Sequence, residues 1–224
     1  MKKLLLMSVI VLFSVYAGNV FATPVKVYGS NYSINGWVNP PINSYYDSGS
    51  SPLDGFVSGS DAWADSSAGF FSVSVDAMSR GESLSYAFAS AETIFSPLST
   101  MNSLLILWAD ELGNFWITWD RINVILENLS DGTVICNLSD YDLWHNFGNS
   151  SDPFSYPGYL IQYPFQTNNV YELYFQVCDT GGGDGDWSGS VWTNDLVSAP
   201  EPATMLLLGL GLIGVLGIRK KIQK

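Results

Sequence analysis

The chain has 224 residues, with 21 acids, nine bases, a single histidine and two cysteines. Six of the bases sit at the two ends, so the stretch from Thr23 to Pro202 sets only Lys26, Arg80 and Arg121 against every acid, a formal charge of −18. That balance argues against nucleic acid and anionic lipid head groups as partners. The scarcity of His and Cys also excludes zinc sites built from several such ligands.

Lys2-Lys3, the apolar run Leu4 to Val15 and the short residues around Val20-Phe21-Ala22 have the three-part layout of a secretory signal peptide. Residues 1–22 are therefore expected to engage the export machinery and be removed by signal peptidase after Ala22. Residues 23–197 then form the exported domain, long enough for one core.

Thr23 to Asp65 is rich in Ser, Asn, Gly, Tyr and Pro, with turn signals at Asn35-Gly36, Asn39-Pro40-Pro41 and Asp54-Gly55. It reads as short edge strands and loops, with one strand around Val25–Tyr28. From Gly69 the alternation is regular. Phe71, Val73 and Val75 share one face, and Leu84, Tyr86 and Phe88 repeat the pattern against Ser83, Ser85 and Ala87, as half-buried strands do. Leu104 to Trp108 is a continuous apolar run, and Leu112-Gly113-Asn114 suggests a hairpin into Phe115–Trp119. Ile122, Val124 and Leu126 alternate. Ser130-Asp131-Gly132-Thr133 turns the chain into Val134–Leu138, and Tyr171, Leu173, Phe175 and Val177 face one way in a further strand. No window has a capped helical period. The expected fold is all-β, a single β-sandwich domain, jelly-roll-like in size.

Candidate chemistry is sparse. His145 has Asp142 nearby but no nucleophile motif such as G-x-S-x-G. The carboxylate pairs Asp110/Glu111 and Asp140/Asp142 are of the kind chance supplies among 21 acids. The domain therefore reads as non-catalytic. Asp179, Asp184 and Asp186 lie in a glycine-rich stretch and offer hard oxygen ligands for Ca²⁺, although their spacing is not that of an EF-hand. No other cofactor is expected. Aromatic side chains pack on the C–H faces of sugars while their polar tips stay wet. Tyr45-Tyr46, Tyr156, Tyr159, Trp187 and Trp192 fall where such a rim can form. Cys136 shares the phase of Val134 and Leu138, whereas Cys178 shares that of Glu172, Tyr174 and Gln176. The export route permits a disulfide between them. The alternative is one buried and one exposed thiol.

The final segment, residues 198–224, is unlike the rest. Pro200-Glu201-Pro202 precedes a charge-free run from Ala203 to Ile218, and Arg219, Lys220 and Lys221 end it abruptly. As a helix the run is about 24 Å long, slightly short of the roughly 30 Å hydrocarbon core, and its basic end should stay cytoplasmic. Gly209-Leu210-Gly211-Leu212-Ile213-Gly214 fits a dinucleotide-binding pattern by letter, but the required acidic residue about 20 positions on does not exist in the ten that remain. Together the Pro-Glu-Pro motif, glycine-containing apolar helix and basic tail resemble the PEP-CTERM sorting signal of Gram-negative bacteria. The resemblance implies recognition and trimming by the membrane protease exosortase, after transient anchoring in the inner membrane. It further implies delivery to the cell surface or an exopolysaccharide matrix. The role it suggests there is structural or adhesive, with a saccharide-binding module as the alternative.

Overall fold

The computed structural model describes residues 23–39, 43–50, 52–110, 121–139, 158–182 and 185–198. Among these, thirteen strands follow one another and no helix occurs: β1 (Thr23–Asn39), β2 (Asn43–Gly49), β3 (Leu53–Ser58), β4 (Ala62–Gly69), β5 (Ser72–Ser79), β6 (Leu84–Pro97), β7 (Met101–Asp110), β8 (Arg121–Asn128), β9 (Thr133–Ser139), β10 (Gly158–Phe165), β11 (Tyr171–Gly182), β12 (Gly185–Trp192) and β13 (Leu196–Ser198). Two sheets result. The first has the order β13-β1-β6-β11-β8-β9, with β2 also on β1; the second has the order β10-β7-β12-β5-β4-β3. From β5 onward the chain passes repeatedly from one sheet to the other, giving the two-layer sandwich expected from the alternation.

The core lies between the sheets and differs from end to end. At one end Phe95 meets Phe71 edge-on at 6.3 Å and Tyr171 at 5.8 Å, and Tyr171 meets Phe165 at 5.1 Å. Such a cluster stabilises strongly; truncating a buried Phe to Ala costs about 3–5 kcal/mol. At the other end the inner face is built from Ala62, Ala64, Ala77, Ala87 and Ala89, with Ser79, Ser85 and Asp179 also buried. The layers approach closely there: a Cβ at Gly181 would come within 2.9 Å of the Ala77 carbonyl oxygen.

Several expectations are met and several are corrected. Ile122, Val124 and Leu126 of β8 and Tyr171, Leu173, Phe175 and Val177 of β11 all point inward. The turn after β8 forms as read, with Gly132 at φ 72°. β6 is turned over relative to the apolar alternation. Ser85, Ala87, Ala89 and Ala91 fill the narrow interior, and Leu84, Tyr86 and Phe88 take the outer phase, Leu84 at 42% exposure. The small residues win the inside because large ones do not fit between closely spaced layers.

The N-terminal third is also more regular than its composition suggests. β1 is a 17-residue strand paired with β6 over most of its length. Asn35-Gly36 and Asp54-Gly55 lie inside β1 and β3 rather than in turns. Both glycines make room for Tyr45: a Cβ on either would overlap its ring, whose hydroxyl donates to Ser66 Oγ at 2.6 Å. Burial raises the Tyr45 pKa, and the nearby Asp65 charge adds to this against the Ser66 hydrogen bond. The glycine-rich stretch that carries Asp179, Asp184 and Asp186 is largely strand, since β11 runs to Gly182 and β12 resumes at Gly185. β7 and β8 belong to different sheets, and the proposed hairpin partner Phe115–Trp119 lies outside the described residues.

The two ends of the domain meet. β13 pairs with the start of β1 in parallel, with Thr23 opposite Leu196 and Val25 opposite Ser198, and the other strand pairings are antiparallel. The Thr23 amide donates to the Asp195 carbonyl at 2.7 Å, and Leu196 is buried in the core.

Candidate functional site

Turning β6 over places its large side chains on the outer face of the first sheet, which no third layer covers among the described residues. The register then assembles that face row by row. Trp37 of β1 lies opposite Tyr86 of β6, with Ser44 of β2 and Thr180 of β11 as their outer neighbours. The Trp37 and Tyr86 rings are stacked, with centroids 6.0 Å apart and planes 15° apart. The next row carries Tyr46, Asn35, Phe88, Cys178 and Arg121, with Tyr46 70% exposed. Beyond it come Ser33, Ser90, Gln176 and Asn123, then Asn31, Glu92, Tyr174 and Ile125. In the last row Ile94 lies opposite Glu172, which lies opposite Glu127.

Polar groups on this face are tied to one another. Asn31 Nδ2 donates to Glu92 Oε1 at 3.3 Å, and the Tyr174 hydroxyl donates to Gln176 Oε1 at 2.9 Å. Burial pushes the Glu172 carboxyl above its usual range, reinforced by the neighbouring Glu92 and Glu127 charges and a hydrogen bond with Glu92. Tyr174 is likewise raised, first by burial, with Ser90 opposing and Glu92 adding to the shift. Like charges directly across a strand pair destabilise a sheet. The Glu172–Glu127 pair therefore carries a local cost that folding alone does not require.

The residues singled out from sequence fare differently. Tyr46 reaches the open face, whereas Tyr45 is turned into the sandwich. Tyr159 packs against the core, so it is not a rim residue. Trp192 is half-buried in the outer phase of the second sheet, opposite Ser72. Trp187 lies opposite Ala77 in the backbone register, and Tyr156 falls outside the described residues, as does His145. Asp179 points into the alanine-lined end of the interior, 2% exposed, while Asp186 is the second residue of β12 and Asp184 lies outside the described residues. Among the described residues no group of three or more acidic, His or Cys side chains is arranged to hold a metal ion.

The disulfide expected as one alternative is not made. Cys136 lies opposite Leu126 and Cys178 opposite Arg121, on either side of β8. Two interstrand spacings and five residues along β8 put their Cα atoms roughly 20 Å apart, far beyond the ~7 Å limit for a bridge. Both side chains are buried, which also corrects the alternative of one exposed thiol.

β13, the last described strand, ends at Ser198, and Pro200-Glu201-Pro202 follows within two residues. Residues 198–221 match the PEP-CTERM protein-sorting motif. The chain carries a PEP-CTERM sorting motif. In this PEP-CTERM protein the motif implies export, processing by exosortase and a surface or extracellular destination. Neither the curated proteins nor the solved structures give a significant match. Pro200, Glu201, Pro202, Arg219, Lys220, Lys221 and residues 1–22, read as a signal peptide from the sequence, lie outside the described residues. No described helix is long and apolar enough to cross a membrane, and the apolar run 203–218 is not among the described residues.

Proposed function

We propose that this PEP-CTERM protein is a non-catalytic adhesive component of the extracellular matrix, held to exopolysaccharide by its sandwich domain. The observation that carries the reading is the outer face of the first sheet, which no other described strand covers. Aromatic rings, carboxamides and carboxylates share that sheet face, and a sorting motif begins at the end of the last described strand. Such a surface suits adsorption to an extended polymer better than enclosure of a small substrate.

The test is co-sedimentation of the exported protein with matrix purified from the producing cells, together with an intact-mass measurement of the matrix-bound form. Retention by the matrix, with residues 1–22 and the tail after the Pro-Glu-Pro region removed, is expected. Protein that stays in the supernatant, or remains in the inner-membrane fraction with its tail attached, would remove the support for this role.

A further inference from the structure

We infer that the edge of β1 between β13 and β2 is the docking site of the chain's own sorting motif. Residues 199–202 extend β13 along Lys26–Tyr28, and the Glu201 carboxylate pairs with the Lys26 ammonium. Exosortase then meets Pro200-Glu201-Pro202 only when this short strand lifts from the fold.

Three observations carry it. First, β1 has a gap on one side. β6 pairs with its other side from Val25 to Asn39. On this side β13 covers Thr23 to Val25 and β2 covers Tyr32 to Val38, so residues 26–31 have no described strand beside them. The chain leaves β13 at Ser198 running parallel to β1, which directs its next residues along the gap. An extended segment adds readily to such an edge through its main chain. Second, the hydrogen-bond phase of the seam fits a Pro-x-Pro sequence. Thr23 lies opposite Leu196, and its amide donates to the Asp195 carbonyl at 2.7 Å. In a parallel pair every second residue turns its backbone groups to the neighbour, so in β13 these are the odd-numbered residues. In the same phase the Ala199 and Glu201 amides meet the carbonyls of Val25 and Val27. Pro200 and Pro202 fall at the alternate positions, where the backbone nitrogen faces away from β1 and a missing donor costs no ladder bond.

Third, side chains and charge agree with that register. Leu196 is buried opposite Thr23, and Val25 is buried opposite Ser198, so even-numbered positions of the tail face the core and odd-numbered ones face out. Pro200 then falls opposite Val27, which packs against the core, and Glu201 falls opposite Tyr28 on the outer side. The Lys26 ammonium sits over the Tyr28 ring, 4.6 Å from its centroid, and so stands at the level Glu201 reaches. Of the bases Lys26, Arg80 and Arg121, only Lys26 belongs to this edge. Arg80 follows β5 in the other sheet, and Arg121 begins β8, beyond β6 and β11. The alternation of the motif, apolar in and acidic out, is thus the one this edge accepts. A strand held in this way opens locally, and a protease acts on the open population.

The experiment is hydrogen exchange of the full chain in detergent, read on a peptide covering residues 197–202, together with a time course of tail removal in the producing cells. The Ala199 and Glu201 amides should exchange about tenfold or more slowly than in an unstructured chain. Lys26→Glu leaves the motif itself intact and should speed both exchange there and tail removal by about two- to fivefold, the range an exposed ion pair spans. Lys26→Arg should behave as wild type. Arg80→Glu changes the net charge equally and should leave both rates alone. Exchange of the two amides at the unstructured rate overturns the inference, as does protection that Lys26→Glu leaves untouched. Protection that grows with protein concentration assigns the edge to a second copy of the chain and overturns it as well.

Discussion

Tyr45 offers the sharpest test of the packing described above. Its ring lies between Gly36 and Gly55, and its hydroxyl donates to Ser66, which is 1% exposed. Neither glycine has a positive φ, so the backbone at both sites accepts any L residue. Gly36→Ala is therefore a purely steric perturbation. Its methyl group would overlap the Cε1, Cζ and hydroxyl side of the ring, and Gly55 and Ile34 close the retreat on the other side. Overpacking of this kind costs about 1–3 kcal/mol. If the ring is expelled instead, the Ser66 hydroxyl is left buried without its partner, at a further cost of about 1–3 kcal/mol. A loss of about 2–4 kcal/mol is expected, which for a domain of this size lowers the melting temperature by roughly 4–16 °C. Urea unfolding followed by tryptophan fluorescence measures it, with the midpoint falling at unchanged slope. In a Tyr45→Ala background the same change should be neutral or favourable, because glycine inside a strand costs roughly 0.5–1 kcal/mol relative to alanine. A Gly36→Ala variant within about 0.5 kcal/mol of wild type, like an ordinary surface substitution, would refute the account of why glycine stands there.

Other consequences can be checked as readily. Because burial, Glu92 and Glu127 raise the Glu172 pKa, the folded state holds this proton more tightly than the unfolded chain. That contribution to stability is present in full below the unfolded carboxyl pKa and is lost as pH rises through the folded value. Glu172→Gln should therefore be more stable than wild type at neutral pH and lose that advantage on acidification; a variant less stable at pH 7 contradicts the electrostatic picture. The cysteines should take up two alkyl groups in denaturant without added reductant, as mass spectrometry would show, and an unmodified mass would reveal a bridge that the register forbids. Phe95→Ala should cost about 3–5 kcal/mol because Phe95 is fully buried among Phe71 and Tyr171. A loss under 1 kcal/mol in urea titration would mean the aromatic end of the core is not a tight cluster.

The strands most legible in the sequence are those where large apolar residues alternate with plainly polar ones. β8 and β11 are of this kind, and both bury the set expected. β6 was misleading because alanine and serine carry little hydropathic weight beside Leu84, Tyr86 and Phe88. Only the spacing between the layers, visible at Gly181 and Ala77, decides that the small set goes inside. Asn35-Gly36 carries the letters of a tight turn, yet glycine there answers a ring nine residues further along. Trp37 joins the candidate face through its pairing with Tyr86, 49 residues away in sequence, and no local pattern announces such a pair. The sorting motif was fully legible, since its three parts are contiguous and need no tertiary contact to be recognised.

The parallel pairing of β13 with the start of β1 has a mechanical consequence. The chain enters the fold at Thr23 and leaves it at Ser198, on neighbouring strands at one corner. β13 is held to β1 by three residue pairs, one of them involving Pro24, which has no amide to donate. Such a seam peels one pair at a time instead of shearing as a long strand would, so it yields first and spares the antiparallel sheet behind it. Trp37 lies fourteen residues along β1 from Thr23, roughly 45 Å away. The stacked rings of Trp37 and Tyr86 therefore stand at the end of β1 remote from the β13 seam.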